Sequence, residues 1–187
     1  MIKIITPPTL EPVSLVEVKD QLGITDDALD IIITNRIKGA REWVENYCDR
    51  ALVNQTIEFR LTTFPEMIDI PRPDASSVTY IKYVDEDGVE QTIDSSLYTL
   101  DTWNNIIRPV YGQDWPTPRA ELNAVRIRYV GGYGSTAASV PDNIRDAIIN
   151  VVGHWTNYQG RIQAGTVITQ VPGAIRKILN EYRTRFF

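Results

Sequence analysis

The sequence is poor in the residue types that most often carry chemistry. Its 187 residues include one cysteine, Cys48, and one histidine, His154. A lone cysteine excludes a disulfide framework within the chain and a zinc site built on cysteine pairs. We interpret Cys48 as a small buried thiol and His154, which lies in a predicted helix beside Trp155, as a packed or surface-facing imidazole. We therefore predict no catalytic, metal-binding or cofactor-binding residues, and no cofactor.

Long apolar runs are also missing. The first twelve residues contain a short apolar run that Pro7 and Pro8 interrupt. Such a run is too short for the core of a signal sequence or for a membrane span. We expect a protein that is made and used in a cytoplasm and has no membrane partner.

Positive charge is scarce except towards the C-terminal end. The net charge is −5, yet five basic residues stand against one acidic residue after position 160. The acidic remainder argues against general nucleic-acid binding, because tight binding of that kind relies on neutralising phosphates. The basic segment is consistent with docking to an acidic partner, which includes another copy of the chain, or with a solvated final helix.

Lysine is absent where a phosphate-binding loop would need it. The stretch "VRIRYVGGYG" leads from an alternating strand into a glycine corner at residues 131–134, and a helix follows. A Walker loop places lysine and Ser or Thr after its last glycine, but no lysine lies between Lys82 and Lys177. The dinucleotide fingerprint spacing is missing too, and Asp142 puts negative charge at the start of the helix. We interpret the corner as a turn.

Apolar periodicity predicts helices at both ends of the chain. Ser14 and Glu17 have capping-box spacing, which predicts a short helix over 15–22. A longer helix with one apolar stripe should follow and end near Arg50. Beyond the glycines, the segment from Ser139 again has capping-box spacing, and "GAIRKILNEYRTRFF" is predicted to be a last amphipathic helix.

Between these helices the period changes to two, which indicates strands. "SVTYIKYVDEDGVEQTI" predicts a hairpin around Asp87-Gly88. The fold class is therefore α+β, a helical core of two N-terminal helices plus C-terminal helices with an inserted small antiparallel β domain. The predicted division is 1–53 as the N-terminal helical part of the core, 54–134 as the inserted β-sheet domain, 135–160 as the helix returning to the core, and 161–187 as a linker with a C-terminal basic and aromatic helix or arm.

Several short motifs occur in a characteristic order. They are "EPVSLVEVKDQL", "GAREWVENYCDRAL", "IDIPRPDASSVTYIKYVDEDG", "WP", "VRIRYVGGYG" and "VPDNIRDAIINVVGHW". This series resembles the head-tail connector, or adaptor, family of long-tailed bacteriophages and related gene-transfer particles, over about residues 10 to 158. The positions that carry the resemblance are Pro12, Ser14, Leu15, Glu17, Lys19, Ala40, Arg41, Tyr47, Arg50, Pro71, Pro73, Val78, Tyr133 and Pro141.

The resemblance implies a structural protein without catalytic residues. It implies a dodecameric ring beneath the portal, which extends the DNA channel toward the tail and provides the attachment site for the tail or the next neck protein. The implied partners are other copies of the chain in a homo-oligomeric ring, the phage portal protein, the next neck or tail-completion protein, and packaged DNA in transient, non-specific passage. The implied location is the neck of the virion, with assembly in the host cytoplasm.

Two sets of contact residues are predicted for that role. Arginine and aromatic side chains are typical anchors of protein interfaces, so we expect the basic and aromatic C-terminal segment to bind the portal through Arg176, Lys177, Arg183, Arg185, Phe186 and Phe187. Apolar side chains left over on helix faces should mediate self-association, namely Ile31, Trp43 and Trp155.

Other functions have weaker support in the sequence. A small-ligand or carbohydrate-binding β module with helical flanks could use Trp103, Trp115 and Tyr98 as a stacking platform. The acidic run 85–87 could be a cation or acid/base cluster, but acids at a hairpin tip are usually turn formers. Arg126 and Arg128 share one strand face, which suits a solvated or subunit-facing stripe better than nucleic acid.

Overall fold

Two antiparallel sheets and four α-helices make up the part of the chain that the computed structural model describes, residues 2–157 and 171–184. This confirms the predicted α+β class. The helices are α1 (Leu15–Leu22), α2 (Asp30–Cys48), α3 (Asp142–Asn157) and α4 (Gly173–Leu179). The strands are β1 (Ile2–Thr6), β2 (Gln55–Leu61), β3 (Ile68–Asp69), β4 (Ala75–Val84), β5 (Glu90–Thr92), β6 (Tyr98–Asp101), β7 (Ile106–Pro109) and β8 (Val125–Gly131).

The described residues divide into a β unit and a helical unit. The β unit contains the residues up to Thr9 and those from Asn54 to Tyr133. The helical unit contains Leu10 to Val53 and the described residues from Gly134 onward. The structure thus differs from the predicted division at residues 2–6, which form β1 and pair with β2 in the β unit. The alternating apolar side chains of "IKIIT" suit a strand, but its partner lies more than fifty residues further along the sequence.

The larger sheet of the β unit has the strand order β1-β2-β8-β4-β5, and the smaller sheet has the order β3-β7-β6. In β8 the residues alternate between buried and half-buried, because successive side chains point to opposite faces of a sheet. Val125, Ile127 and Tyr129 lie on the buried face, where the Tyr129 ring packs edge-on against Phe59 with centroids 6.0 Å apart. The opposite face carries Arg126 and Arg128.

The helical unit begins with the capping box that the sequence predicts. The Ser14 hydroxyl accepts from the Glu17 amide, and the Glu17 carboxylate accepts from the Ser14 amide. Gly23, at φ 65°, then ends α1 in the left-handed conformation that glycine adopts without strain. In α2 the predicted stripe is buried at Ile33, Ile37, Ala40, Val44 and Cys48. None of the described helices is long and apolar enough to cross a membrane.

The last helix is shorter than predicted. It ends at Leu179, and Tyr182 and Thr184 are not helical. The Thr184 amide instead donates to the carbonyl of Cys48 at 2.9 Å, and the Tyr47 hydroxyl donates to the Asn180 side chain at 2.8 Å. These contacts with the end of α2 replace the helical bonds that a longer α4 would have made. Ile175 and Leu179 are buried, whereas Ile178 is exposed.

Candidate functional site

The glycine corner has a backbone role. Gly132 has φ 140°, which strains any residue with a side chain, and its amide donates to the carbonyl of Asp74 at 3.1 Å. A Cβ at Gly134 would collide with the Ser139 side chain, so a larger residue fits there only if Ser139 shifts. The glycines therefore allow a tight turn after β8, as the sequence suggests.

Cys48 is a packed core residue. It is fully buried, and its sulfur lies 3.7 Å from the carbonyl oxygen of Leu179. Burial raises the pKa of the Cys48 thiol to about 11, so the nucleophilic thiolate is scarce at neutral pH. This confirms the interpretation of Cys48 as a small buried thiol. The described residues contain no cluster of three or more His, Cys, Asp or Glu side chains that could hold a metal ion.

The acidic run at the β4–β5 hairpin also has a structural role. The Asp85 carboxylate accepts from the Gln91 side chain and from the Val89 amide, both at 2.8 Å. These hydrogen bonds lower the pKa of Asp85 below its ordinary value. Asp85 therefore closes the hairpin as a charged turn residue, as predicted for acids at a hairpin tip.

The three aromatic residues of the predicted stacking platform are not brought together. The Trp115 ring stacks on Phe64, with centroids 5.0 Å apart and planes at 11°. The Tyr98 ring centroid lies 6.5 Å from that of Trp115. Trp103 is 89% exposed in the β6–β7 turn, at the other end of β6 from Tyr98. A cavity of about 450 Å³ opens beside Trp115, but neither Trp103 nor Tyr98 lines it. One face of Trp115 is thus already occupied by the protein itself.

One face of the larger sheet concentrates positive charge, and we call it the basic sheet face. Direct cross-strand partners point to the same side of a sheet, and the register aligns Lys3 with Glu58, Glu58 with Arg128, and Arg128 with Tyr80. A second row aligns Arg60, Arg126 and Lys82. Glu90 of β5 joins this face through ion pairs with Lys82, at 2.8 Å, and with Arg126.

Glu58 holds the centre of the basic sheet face. Its carboxylate accepts from the Tyr80 hydroxyl at 2.8 Å and from Arg128 and Arg60 at 2.8 and 3.3 Å. Burial alone would raise the pKa of Glu58, but these three donors outweigh that effect and hold the pKa below its ordinary value. The Arg128 guanidinium also lies 4.8 Å from the centroid of the Tyr80 ring. The face is therefore an ordered network of charges.

The residues predicted to bind the portal lie on and after α4. Lys177 and Arg183 are exposed and Arg176 is half-buried, and the Arg183 guanidinium lies 5.8 Å from the centroid of the Tyr47 ring. Arg185, Phe186 and Phe187 lie outside the described residues. Arg176, Lys177 and Arg183 thus all belong to the helical unit.

The residues predicted to mediate self-association differ in exposure. Ile31, at the start of α2, is 78% exposed. Trp43 stacks on Tyr47 with centroids 5.3 Å apart. Trp155 lies against α2, because a Cβ at Gly39 would be 3.5 Å from its ring. Ile31 is thus the most available of the three predicted side chains.

A buried ionic network in the helical unit was not found from the sequence. Arg41 donates to Glu45 and to Glu11, both at 2.7 Å, and the second Glu45 oxygen accepts from the Leu52 amide at 3.0 Å. Burial alone would lower the pKa of Arg41, but the two carboxylates more than offset this and raise it. The i,i+4 spacing of Arg41 and Glu45 was the available signal, although such pairs are usually solvent-exposed.

Known structures share this fold. The chain in the neck of an empty gene transfer agent (GTA) particle, computed with C6 symmetry, is 19% identical with a TM-score of 0.78. A chain in the virion of a native GTA particle gives the same values. A chain in the neck of a native GTA particle, computed with C12 symmetry, is 21% identical with a TM-score of 0.72. Each match covers 100% of this chain and 97% of the other. A comparison with curated proteins finds no match.

The sequence itself matches a family model. The model describes the phage gp6-like head-tail connector protein and matches residues 12–110, more than half of the chain. This match confirms the resemblance inferred from the ordered motifs. It also confirms a structural connector function and not an enzymatic one, and a connector of head and tail lies in the neck of the virion. The chain therefore belongs to the phage gp6-like head-tail connector protein family.

Proposed function

We propose that this connector assembles as a ring of twelve copies beneath the portal, extends the DNA channel toward the tail, and provides the attachment site for the tail or the next neck protein. The observation that carries the proposal is the full-length similarity in fold to chains from GTA particles, among them a neck computed with C12 symmetry. Repeated head-to-tail contacts between identical subunits form a closed ring when the rotation from one copy to the next closes. Assembly would take place in the host cytoplasm.

The portal contact is proposed to involve the basic and aromatic C-terminal segment. Thr184 is fixed by its hydrogen bonds to the carbonyls of Cys48, at 2.9 Å, and Asp49, at 3.3 Å. Arg185, Phe186 and Phe187 follow this fixed point directly in the sequence. Exposed Lys177 and Arg183, together with half-buried Arg176, add positive charge nearby on the helical unit. The segment would therefore suit an acidic surface with apolar pockets for the two rings.

The contacts between copies are proposed to include Ile31, Trp43 and Trp155. Ile31 has the strongest support, because a largely exposed apolar side chain on a helix gains most from burial by a neighbour. Trp43 and Trp155 keep part of their surface exposed while they pack within the helical unit.

DNA is proposed to pass through the ring without lasting contact. The net charge of −5 disfavours tight binding to the phosphate backbone. An acidic duct would let packaged DNA move, whereas a basic one would retain it.

The portal contact can be tested with a chain that stops after Thr184. The cut keeps α4, whose buried Ile175 and Leu179 contribute to the core, so the subunit should retain its circular dichroism spectrum and melting temperature. Binding to the purified portal protein of the same particle should fall by at least about tenfold, as expected for loss of interface anchors. Negative-stain images should show rings with the intact chain and portal, and few or none with the shortened chain.

Two further variants separate the contributions. Phe186→Ala/Phe187→Ala removes the two aromatic side chains but keeps Arg185. This variant should lose most of the affinity for the portal that the shortened chain loses. Arg108→Ala, at an exposed position on β7 of the β unit, removes one positive charge elsewhere and should bind as the unchanged chain does. Full portal binding by the chain that stops after Thr184 would refute the proposed anchor.

A further inference from the structure

The basic sheet face carries more positive than negative charge in a chain whose net charge is −5. Its cations are Lys3, Arg60, Lys82, Arg126 and Arg128, and its carboxylates are Glu58 and Glu90. Glu58 and Glu90 are each shared by two cations. These seven strand residues therefore carry a formal charge of +3 together.

This face is available for contact. Arg60 is 47% exposed, and Lys82, Arg126 and Arg128 each keep about a third of their side-chain surface exposed. A cavity of about 270 Å³ lies at one end of the face, and its charged lining residues are Arg60, Lys82, Arg126, Glu90 and Glu121. The Lys82 ammonium lies 5.2 Å from the centroid of the Tyr80 ring, which helps to fix it. The cations are thus held in place before any partner arrives, which lowers the entropic cost of binding.

The helical unit presents a surface of opposite charge, which we call the acidic corner. It lies where α1 meets α2 and consists of Asp20, Asp26, Asp27 and Asp30 with Lys19. Lys19 donates to Asp27 at 2.6 Å and to Asp30 at 2.7 Å. Four aspartates against one lysine leave a formal charge of −3.

Two exposed apolar side chains accompany the acidic corner. Ile31 directly follows Asp30, and Val16 precedes Asp20 by one helical turn on α1. Exposed apolar side chains beside charged ones are typical of a protein-binding patch, because the apolar part gives affinity and the charges give orientation. The corner therefore has what a basic protein surface would recognise.

We propose that the basic sheet face of one copy binds the acidic corner of the next copy. The inference rests on the ring described under Proposed function and specifies the contact that would build it. A ring needs two different, complementary patches on each subunit, and the charges of +3 and −3 would neutralise each other. Two features favour a second copy over DNA as the partner. The carboxylates on the face would repel the phosphates of DNA, and DNA bound to the face would leave the apolar residues of the corner exposed.

Charge reversal on each patch gives a sharp test. The face variant is Arg60→Glu/Lys82→Glu. It keeps the hydrogen bonds of Arg128 and Tyr80 to Glu58 and the ion pair between Arg126 and Glu90. The corner variant is Asp20→Lys/Asp27→Lys, which spares Asp26, whose side chain caps the turn before α2. Self-association is measured by sedimentation equilibrium up to about 1 mM protein, where contacts with a dissociation constant of about 1 mM are detectable. Circular dichroism establishes that each variant is folded.

The unchanged chain should self-associate more weakly at about 500 mM than at about 50 mM salt, because salt screens exposed charges. Each reversed variant alone should associate at least about tenfold more weakly at low salt. An equimolar mixture of the two variants should recover association, since the reversed face of one then meets the reversed corner of the other. A chain carrying all four substitutions should recover it as well.

A matched control and the contrary outcomes complete the design. Lys38→Glu/Arg108→Glu makes the same change in net charge as the face variant, at exposed positions on neither patch, and it should associate as the unchanged chain does. Undiminished association of the reversed variants, or no recovery in the mixture, overturns the contact. So does an unchanged chain that stays monomeric throughout. DNA binding is measured with a short random-sequence duplex. If the unchanged chain binds the duplex, the face variant alone does not, and self-association of the face variant is intact, the face is assigned to DNA instead. Images of rings on particles test the ring separately from this contact.

Discussion

Replacing Leu179 with alanine should loosen α4 and uncover the thiol that lies beneath it. Leu179 is fully buried, and its carbonyl oxygen lies 3.7 Å from the sulfur of Cys48. Truncating a buried leucine to alanine costs about 2–5 kcal/mol, since transfer energy is lost and a cavity remains. Even the lower value raises the population in which α4 is detached by about thirtyfold.

The magnitude can be read from the reactivity of Cys48. With its pKa raised to about 11 by burial, the native thiol is about 0.1% ionised at pH 8. A free thiol of pKa about 8.5 would be roughly two hundredfold more ionised at that pH. Reaction in the native protein should therefore pass through opening of α4, and its rate should follow the open population.

The assay is the rate at which a chromogenic disulfide reagent modifies Cys48 at pH 8 without denaturant. We expect Leu179→Ala to react at least about thirtyfold faster than the unchanged chain. Lys177→Ala, at an exposed position on the same helix, should change the rate by less than about twofold. A rise below about threefold for Leu179→Ala, or an equal rise for the control, would refute the reasoning that α4 covers the thiol.

Two further predictions concern the helical unit. Arg41→Met leaves Glu45, which is 2% exposed, without its cation. The free energy of unfolding should therefore fall by about 3–5 kcal/mol, measured by urea titrations followed by circular dichroism. A loss below about 1 kcal/mol would contradict a strong buried pair. For Cys48, the thiol stays protonated in the folded state up to a pKa of about 11 and ionises earlier in the unfolded state. The free energy of unfolding should therefore fall above about pH 8.5 by up to about 1.4 kcal/mol per pH unit. The Cys48→Ala variant should not show this fall in the free energy of unfolding. An identical dependence on pH in that variant would contradict the assignment to Cys48.

Local signals in the sequence predicted the elements that local interactions build. The capping box fixes the start of α1 through hydrogen bonds between Ser14 and Glu17. These two residues are three positions apart, so the sequence alone shows the signal. The alternation of β8 and the buried stripe of α2 follow from the geometry of a strand and a helix, which depends only on spacing. The family resemblance was likewise readable because the ordered motifs lie along the chain.

Features that depend on distant partners were missed. β1 becomes a strand only by pairing with β2, and α4 ends early because the Thr184 amide and the Asn180 side chain find partners at the end of α2. The burial of Arg41 and Glu45 requires Glu11 and the Leu52 amide. Arg126 and Arg128 were recognised as one strand face, but the full basic sheet face needs the register of five strands. Spacing along one element carries no information about such partners.

The pairing of β1 has a consequence for how the protein is made. Synthesis produces "IKIIT" before β2, the strand that pairs with it with Ile2 opposite Phe59, and β2 leaves the ribosome only later. During that interval the isoleucines of the first strand are in water with no sheet to join, while α1 and α2 can already form from local contacts. Successful production in a foreign host should therefore depend on translation speed and chaperone supply more than the modest size of the chain suggests.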